Sequence, residues 1–178
     1  INIGIRLNPN TDPKTISQIS TGKKENKFGV DEKTFINLVR YIKKSNNLDL
    51  RCLSVHIGSQ ILDNQPYSKM LNIINKIIKK TNHDFEYIDL GGGFGIDYMH
   101  NNQRFNLKKY SSDVHKFLKK NKSKIIFEPG RSIIGNVAIL VSKIIYIKKG
   151  FKKDFIIIDS AMNDLMRPAL YNAKHKII

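Results

Sequence analysis

The 178 residues include one cysteine and no tryptophan, and no apolar run approaches the roughly 18 residues of a membrane span. A lone cysteine, Cys52, excludes an internal disulfide and any zinc site built from several cysteines. It suits a reducing cytosol, so a cytoplasmic location is expected. The start carries no signal-peptide pattern; INIG opens without an initiator Met, already inside an apolar alternation, which suggests a piece of a longer chain. Acidic residues are scarce as well, 15 Asp and Glu against 31 Lys and Arg, for a formal charge of +16. Such an excess can neutralise nucleic-acid phosphates. Here 25 of the 31 are Lys, scattered with Asn and Ile through stretches such as INKIIKKTNH and FLKKNKSKII, with no aromatics interleaved to stack bases. These read as solvated helix faces, and neither a nucleic acid nor a membrane is an expected partner.

The histidines His83, His100, His115 and His175 share no metal-ligand spacing, so no metal is expected. NKS at 121–123 matches a glycosylation acceptor that a cytosolic protein would not use.

What is present is an ordinary globular composition, 40% apolar and 26% charged, in which short apolar runs alternate with segments of helical period. IGIRL (3–7), RCLSVHIG (51–58), FEYIDLGGG (85–93) and KIIFEPG (124–130) read as strands. Between them Phe35, Leu38, Val39 and Ile42 recur at helical spacing behind Asp31, an expected N-cap. Met70, Ile73, Ile74, Ile77 and Ile78 form a second stripe after Pro66. Leu107, Tyr110, Val114, Phe117 and Leu118 form a third. Each stripe is core packing. The expected class is α/β, either half of a (β/α)8 barrel or an open doubly wound sheet. After residue 134 the pattern changes: NVAILVSKIIYI and DFIIIDS read as an antiparallel strand pair joined by KKGFKK, the start of a β-rich second domain over 135–178.

Polar and Gly-rich sequence falls at the carboxyl ends of the strands, the edge that holds ligands in both architectures. Gly91, Gly92 and Gly93 remove three successive Cβ atoms from a turn, which can aim backbone N–H groups at an anion or serve tight packing alone. They fail the dinucleotide fingerprint, because Ile96 stands where its last glycine belongs. His56 ends a strand, where a lone His is more often a hydrogen-bonded core residue than a catalyst. Ser59, three residues on, could bring a hydroxyl to the same anion. FEPGRS (127–132) sets Glu128 and Arg131 around a Pro-Gly corner, where they either neutralise each other or serve separate ligands. Arg167 and Tyr171, four apart, share a face if that segment turns helically, and can then grip one carboxylate.

IRLNPN, TGKKENKFGV, SVHIGSQI, DLGGGFGIDY, EPGRSI and DSAMNDLMRPALY, in that order from Arg6 to Tyr171, resemble the fold-type III pyridoxal-phosphate decarboxylases. The first five recur in looser forms among ornithine and arginine decarboxylases, whereas MNDLMRPALY resembles the diaminopimelate branch. The resemblance implies the C-terminal half of a pyridoxal-phosphate-binding (β/α)8 TIM-like barrel over 1–134, followed by the β domain. It implies that the turn Gly91, Gly92 and Gly93, above all Gly93, and Ser59 hold the cofactor phosphate, and that Gly130 also belongs to the cofactor-binding set. His56 resembles the residue stacked on the pyridine ring, and Glu128 the acid facing the ring nitrogen. Arg6 resembles a residue lining the cofactor pocket, and Lys27 a lysine near a subunit interface. Arg131, Arg167 and Tyr171 resemble the set that binds the amino-acid substrate, with Arg131 also close to the cofactor.

The implied activity is loss of CO2 from meso-diaminopimelate to give L-lysine, in a homodimer with shared active sites. The family's Schiff-base lysine would precede this chain, and its acidic, cysteine-bearing motif and late tyrosine would follow residue 178. By itself the chain is therefore expected to be inactive. Two other readings stay open: a sister decarboxylase acting on ornithine, arginine or a carboxylated polyamine of the carboxynorspermidine type, and a non-catalytic relative of the barrel.

Overall fold

Four short parallel strands, β1 (Asn2–Arg6), β2 (Asp49–Ser54), β3 (Tyr87–Asp89) and β4 (Lys124–Ile126), form one sheet in the order β1-β2-β3-β4. The structure, a computed structural model, describes all residues except 14, 16–19, 24–25, 100 and 102. Lys24 and Glu25 of TGKKENKFGV, and His100, thus lie outside the described residues. Helices α1 (Glu32–Ile42), α2 (Gln65–Thr81) and α3 (Leu107–Leu118) connect successive strands. Parallel crossovers are right-handed, so strands added one after another in the same direction put all three helices on one face. Accordingly α1 packs on α2, and α2 on α3. A doubly wound sheet would reverse its order at a switch point. This sheet does not; it is wound as a (β/α)8 barrel is.

Each helix starts where the chain can satisfy its first N–H groups. Asp31 is extended (ψ 167°), and its carboxylate accepts from the Thr34 N–H at 3.0 Å and the Thr34 hydroxyl at 2.6 Å. Those bonds hold the Asp31 carboxyl below its ordinary range. Asn106 caps α3 in the same way, accepting from the Lys109 N–H at 2.9 Å. At α2 a proline in the first turn replaces an N–H that has no helical partner, and Asn82 closes the helix in the left-handed region at φ 44°.

Alternation along the strands divides the sheet into two faces. Ile5, Leu53, Val55, Ile88 and Leu90 are buried with Phe35, Val39, Tyr67, Met70, Ile74, Ile77 and Phe117 of the helices. The opposite face carries mostly small or polar side chains in register: Gly4, Cys52 and Tyr87 in one row, then Arg6, Ser54 and Asp89 in the next, which the apolar Ile126 completes. That second row is the last before each strand leaves the sheet.

Residues Ile1–Ile96 and Gln103–Gly135 form one compact unit; Asp97–Asn102 and Asn136–Ile178 form another. A short helix α4 (Arg131–Ile134) ends the first. In the second, β5 (Ile144–Lys148) pairs antiparallel with β6 (Phe155–Ile158). Asp159 accepts from the Lys143 N–H at 2.8 Å and the Ser142 hydroxyl at 2.9 Å, closing the open end of that pair. Residues 136–143, read as part of a strand, join no sheet among the described residues. Their apolar run is compatible with a strand, but a strand also needs a partner for its N–H and C=O groups. The segment 167–171 does turn helically, as α5 (Arg167–Tyr171). No helix among the described residues is long and apolar enough to cross a membrane.

Candidate functional site

The loops after β1 to β4 converge at one edge of the sheet, and backbone approach there is unusually close. Gly91 and Gly93 have φ of 65° and 89°, conformations that L side chains resist. A Cβ on Gly92 would lie 2.0 Å from the Glu128 carbonyl oxygen, and one on Gly93 the same distance from that of Gly58. The three glycines therefore let the β3 turn wedge between the chain after β2 and the chain after β4. The Glu128 N–H donates to the Gly91 carbonyl at 2.9 Å, fixing β4's exit against that turn.

Asp89 holds the turn from the last sheet row. Its two carboxylate oxygens accept from the Gly91 N–H at 2.8 Å and the Ser54 hydroxyl at 2.9 Å. From the side, Gln60 accepts from the Ile96 N–H at 3.3 Å and donates to the Ile96 carbonyl at 2.6 Å, tying the loop after β2 to the far end of the glycine turn. Neither residue stands out in the sequence, since their partners lie up to 36 positions away.

His56 sits between these elements. Its Nδ1 accepts from the Gly92 N–H at 3.2 Å, which leaves the ring proton on Nε2. Burial, then the Arg6 guanidinium, hold its pKa below the ordinary imidazole value, against the opposing pull of Glu128 and Asp89. The ring is thus held neutral and fixed in plane. Arg6 donates to the His56 carbonyl at 3.4 Å and lies 5.0 Å from the Phe28 ring centroid; Lys27 lies 5.1 Å from the same ring.

Glu128 and Arg131 do not neutralise each other. Among the described residues no ion pair includes Glu128, which is exposed beyond β4. Arg131 instead donates to the Gln60 side-chain oxygen at 3.2 Å. The Pro-Gly corner between them turns the chain into α4, and a Cβ on Gly130 would meet nothing within 4 Å.

In the second unit the Arg167 guanidinium lies 4.7 Å from the Tyr98 ring centroid and 3.3 Å from His175 Nε2. Burial and that guanidinium lower the His175 pKa, so a neutral imidazole faces the cation. Tyr171 is exposed, one helical turn from Arg167 on α5.

A family model described as "Pyridoxal-dependent decarboxylase, pyridoxal binding domain" matches residues 1–135. The chain belongs to the pyridoxal-dependent decarboxylase family. It is 42% identical to diaminopimelate decarboxylase of Aquifex aeolicus strain VF5, over 99% of this chain and 43% of that relative. With the enzyme of the same name from Helicobacter pylori strain J99 it shares 42% identity, over 98% and 44%. The crystal structure of diaminopimelate decarboxylase from Helicobacter pylori complexed with L-lysine matches with a TM-score of 0.91 at 41% identity, covering 98% of this chain and 44% of that one. The chain thus spans less than half the length of these relatives.

The strand-end donors fit the phosphate of the group that gives this decarboxylase family its name. Among the described residues, the N–H groups of Gly93 and Gly130 and the Ser59 hydroxyl donate to no acceptor in the protein. Gly93 packs on Gly58, next to Ser59, and Gly92 packs on Glu128, two residues before Gly130. Backbone N–H groups at turns of this kind can bind an anion. No group of three or more His, Cys, Asp or Glu suited to a metal ion occurs among the described residues.

Proposed function

We propose that the protein containing this chain catalyses decarboxylation of meso-2,6-diaminopimelate to L-lysine and CO2, the last step of lysine biosynthesis, with pyridoxal phosphate at the carboxyl edge of β1 to β4. The observation that carries the substrate reading is continuity. Similarity to diaminopimelate decarboxylases extends past residue 135, where the pyridoxal-binding match ends, across 98% or more of the chain, including MNDLMRPALY.

In this reading Gly93, Gly130 and Ser59 hold the phosphate, with Gly91 and Gly92 shaping the turn. His56, neutral and held by Gly92, offers its ring face to the pyridine. Burial, and after it the charge of Arg6, keeps His56 neutral. Glu128 faces the ring nitrogen and keeps a proton there, since this exposed carboxylate, in no ion pair among the described residues, is available to pair with that site. When bound, pyridoxal phosphate supplies the electron sink that takes up the pair released as the bond from the α-carbon to the departing carboxylate breaks.

Arg131, Arg167 and Tyr171 bind the substrate. Diaminopimelate carries an amino-acid group at each end, so one carboxylate must be gripped while the other is expelled. A guanidinium does this with paired N–H donors, and a fixed end orients the scissile bond. The Schiff-base lysine this chemistry requires is proposed to come from outside these residues, and a homodimer with shared sites in the cytoplasm completes the reading.

The test is CO2 release by the complete gene product with pyridoxal phosphate, offered diaminopimelate, ornithine and arginine separately. Release from diaminopimelate alone is expected. Release from ornithine or arginine but not diaminopimelate would overturn the substrate, and release from none would favour a non-catalytic relative.

A further inference from the structure

The phosphate cradle rests on a side chain from the helix layer. Tyr67, in the first turn of α2, is fully buried, and its hydroxyl donates to the Gly92 carbonyl oxygen at 2.8 Å. A peptide unit is planar, and where it is trans its C=O and N–H point in opposite directions. No cis peptide is present among the described residues. The Gly92 carbonyl and the Gly93 N–H belong to one such unit. Fastening the carbonyl toward α2 therefore directs the Gly93 N–H away from the helix layer, and that N–H meets no acceptor among the described residues.

The turn needs such a fastener, because glycine backbones have more freedom than any other. Gly92 could otherwise rotate its peptide to bury the N–H and expose the carbonyl, replacing a phosphate donor with a phosphate-repelling oxygen. Tyr67 is itself rigid. Its ring packs against Phe94, Phe105 and Tyr110 with centroids 5.0–5.4 Å away. Burial pushes its hydroxyl pKa up, so the proton needed for donation stays on. Tyr110 provides the contrast: its hydroxyl is buried in the same cluster with no hydrogen-bond partner among the described residues.

We infer that Tyr67 is a positioning residue for cofactor binding, setting the Gly92–Gly93 peptide so that the Gly93 N–H faces the phosphate. The inference rests on the cofactor site proposed above. A purely structural Tyr67 would affect pyridoxal phosphate and unphosphorylated pyridoxal alike. A positioning role affects only the phosphorylated form.

The experiment uses Tyr67→Phe and Tyr110→Phe in the complete gene product. Dissociation constants for pyridoxal phosphate and for pyridoxal are measured by equilibrium dialysis, along with the phosphorus NMR shift of the bound phosphate. Tyr67→Phe should weaken pyridoxal phosphate about tenfold, the scale of one lost hydrogen bond, shift the phosphorus resonance and leave pyridoxal binding unchanged. Tyr110→Phe should change neither. Equal weakening of both ligands, or an unchanged phosphate affinity and resonance in Tyr67→Phe, overturns the inference. Should Tyr67→Phe not fold, 3-fluorotyrosine at position 67 keeps the ring and makes the hydroxyl a stronger donor. The phosphorus resonance should then move, and an unmoved resonance overturns the inference. Failure of the unaltered protein to bind pyridoxal phosphate would instead sink the cofactor site.

Discussion

Replacing Gly92 with Ala tests the packing that assembles the site. The new Cβ would stand 2.0 Å from the Glu128 carbonyl oxygen, and a Cβ essentially never comes within 3.0 Å of another heavy atom. The exits of β3 and β4 must therefore part by at least about 1 Å, and the atom in the way is backbone, which cannot swing aside as a side chain does. The same movement strains the 2.9 Å bond from the Glu128 N–H to the Gly91 carbonyl. Overpacking of this kind costs about 1–3 kcal/mol and a weakened backbone hydrogen bond about 1 more. At about 2–4 °C per kcal/mol for a domain of this size, the melting temperature should fall by roughly 10 °C. Gly130→Ala is the matched control, because its Cβ meets nothing within 4 Å and its φ of −105° suits any residue. Its melting temperature should hold or rise slightly, since Ala restricts the unfolded chain. Scanning calorimetry of both variants, without cofactor, decides the matter. A Gly92→Ala protein melting within about 2 °C of the parent would refute the close-packing account.

Glu128→Ala in the complete gene product should lower kcat by about 100-fold or more while retaining cofactor, as followed by absorbance. Equal loss of turnover and cofactor would reduce the residue to a structural one. Arg167→Ala should raise the KM for diaminopimelate by about 10- to 100-fold, the value of a charged hydrogen bond, with the cofactor spectrum unchanged; an intact KM contradicts the substrate role. His56 also makes stability depend on pH. Its folded pKa lies below the ordinary 6.5, so the unfolded chain binds the extra proton first. The contribution is whole above about pH 6.5 and is lost as pH falls through the folded pKa. Denaturant titrations between pH 7.5 and 5 should show a decline that His56→Gln flattens, and parallel curves would count against it.

The helices were legible because their signals are local. Asp31 caps α1 three residues from the N–H it accepts, and the apolar stripes recur within one or two turns. Strand existence was legible too, though not extent. β3 and β4 are only three residues each, because the glycine turn and the Pro-Gly corner end their pairing earlier than the apolar runs end. The 136–143 segment misled for a related reason: apolar composition says nothing of whether a partner strand stands alongside. At the site, His56, the glycine turn and Glu128 were visible as unusual residues at strand ends. What they touch was not. Asp89, Gln60 and Tyr67 act on backbone atoms 2 to 36 positions away, and a bond to a carbonyl or N–H places no demand on which residue owns it. Even Arg131, singled out by its spacing from Glu128, donates to Gln60, 71 residues earlier.

The most direct test of the central claim is a crystal structure of the complete gene product with pyridoxal phosphate bound. The account predicts the phosphate against the Gly93 and Gly130 N–H groups and the Glu128 carboxylate within hydrogen-bond distance of the pyridine nitrogen. A phosphate bound away from the glycine turn, or a ring nitrogen facing any group other than Glu128, would contradict it.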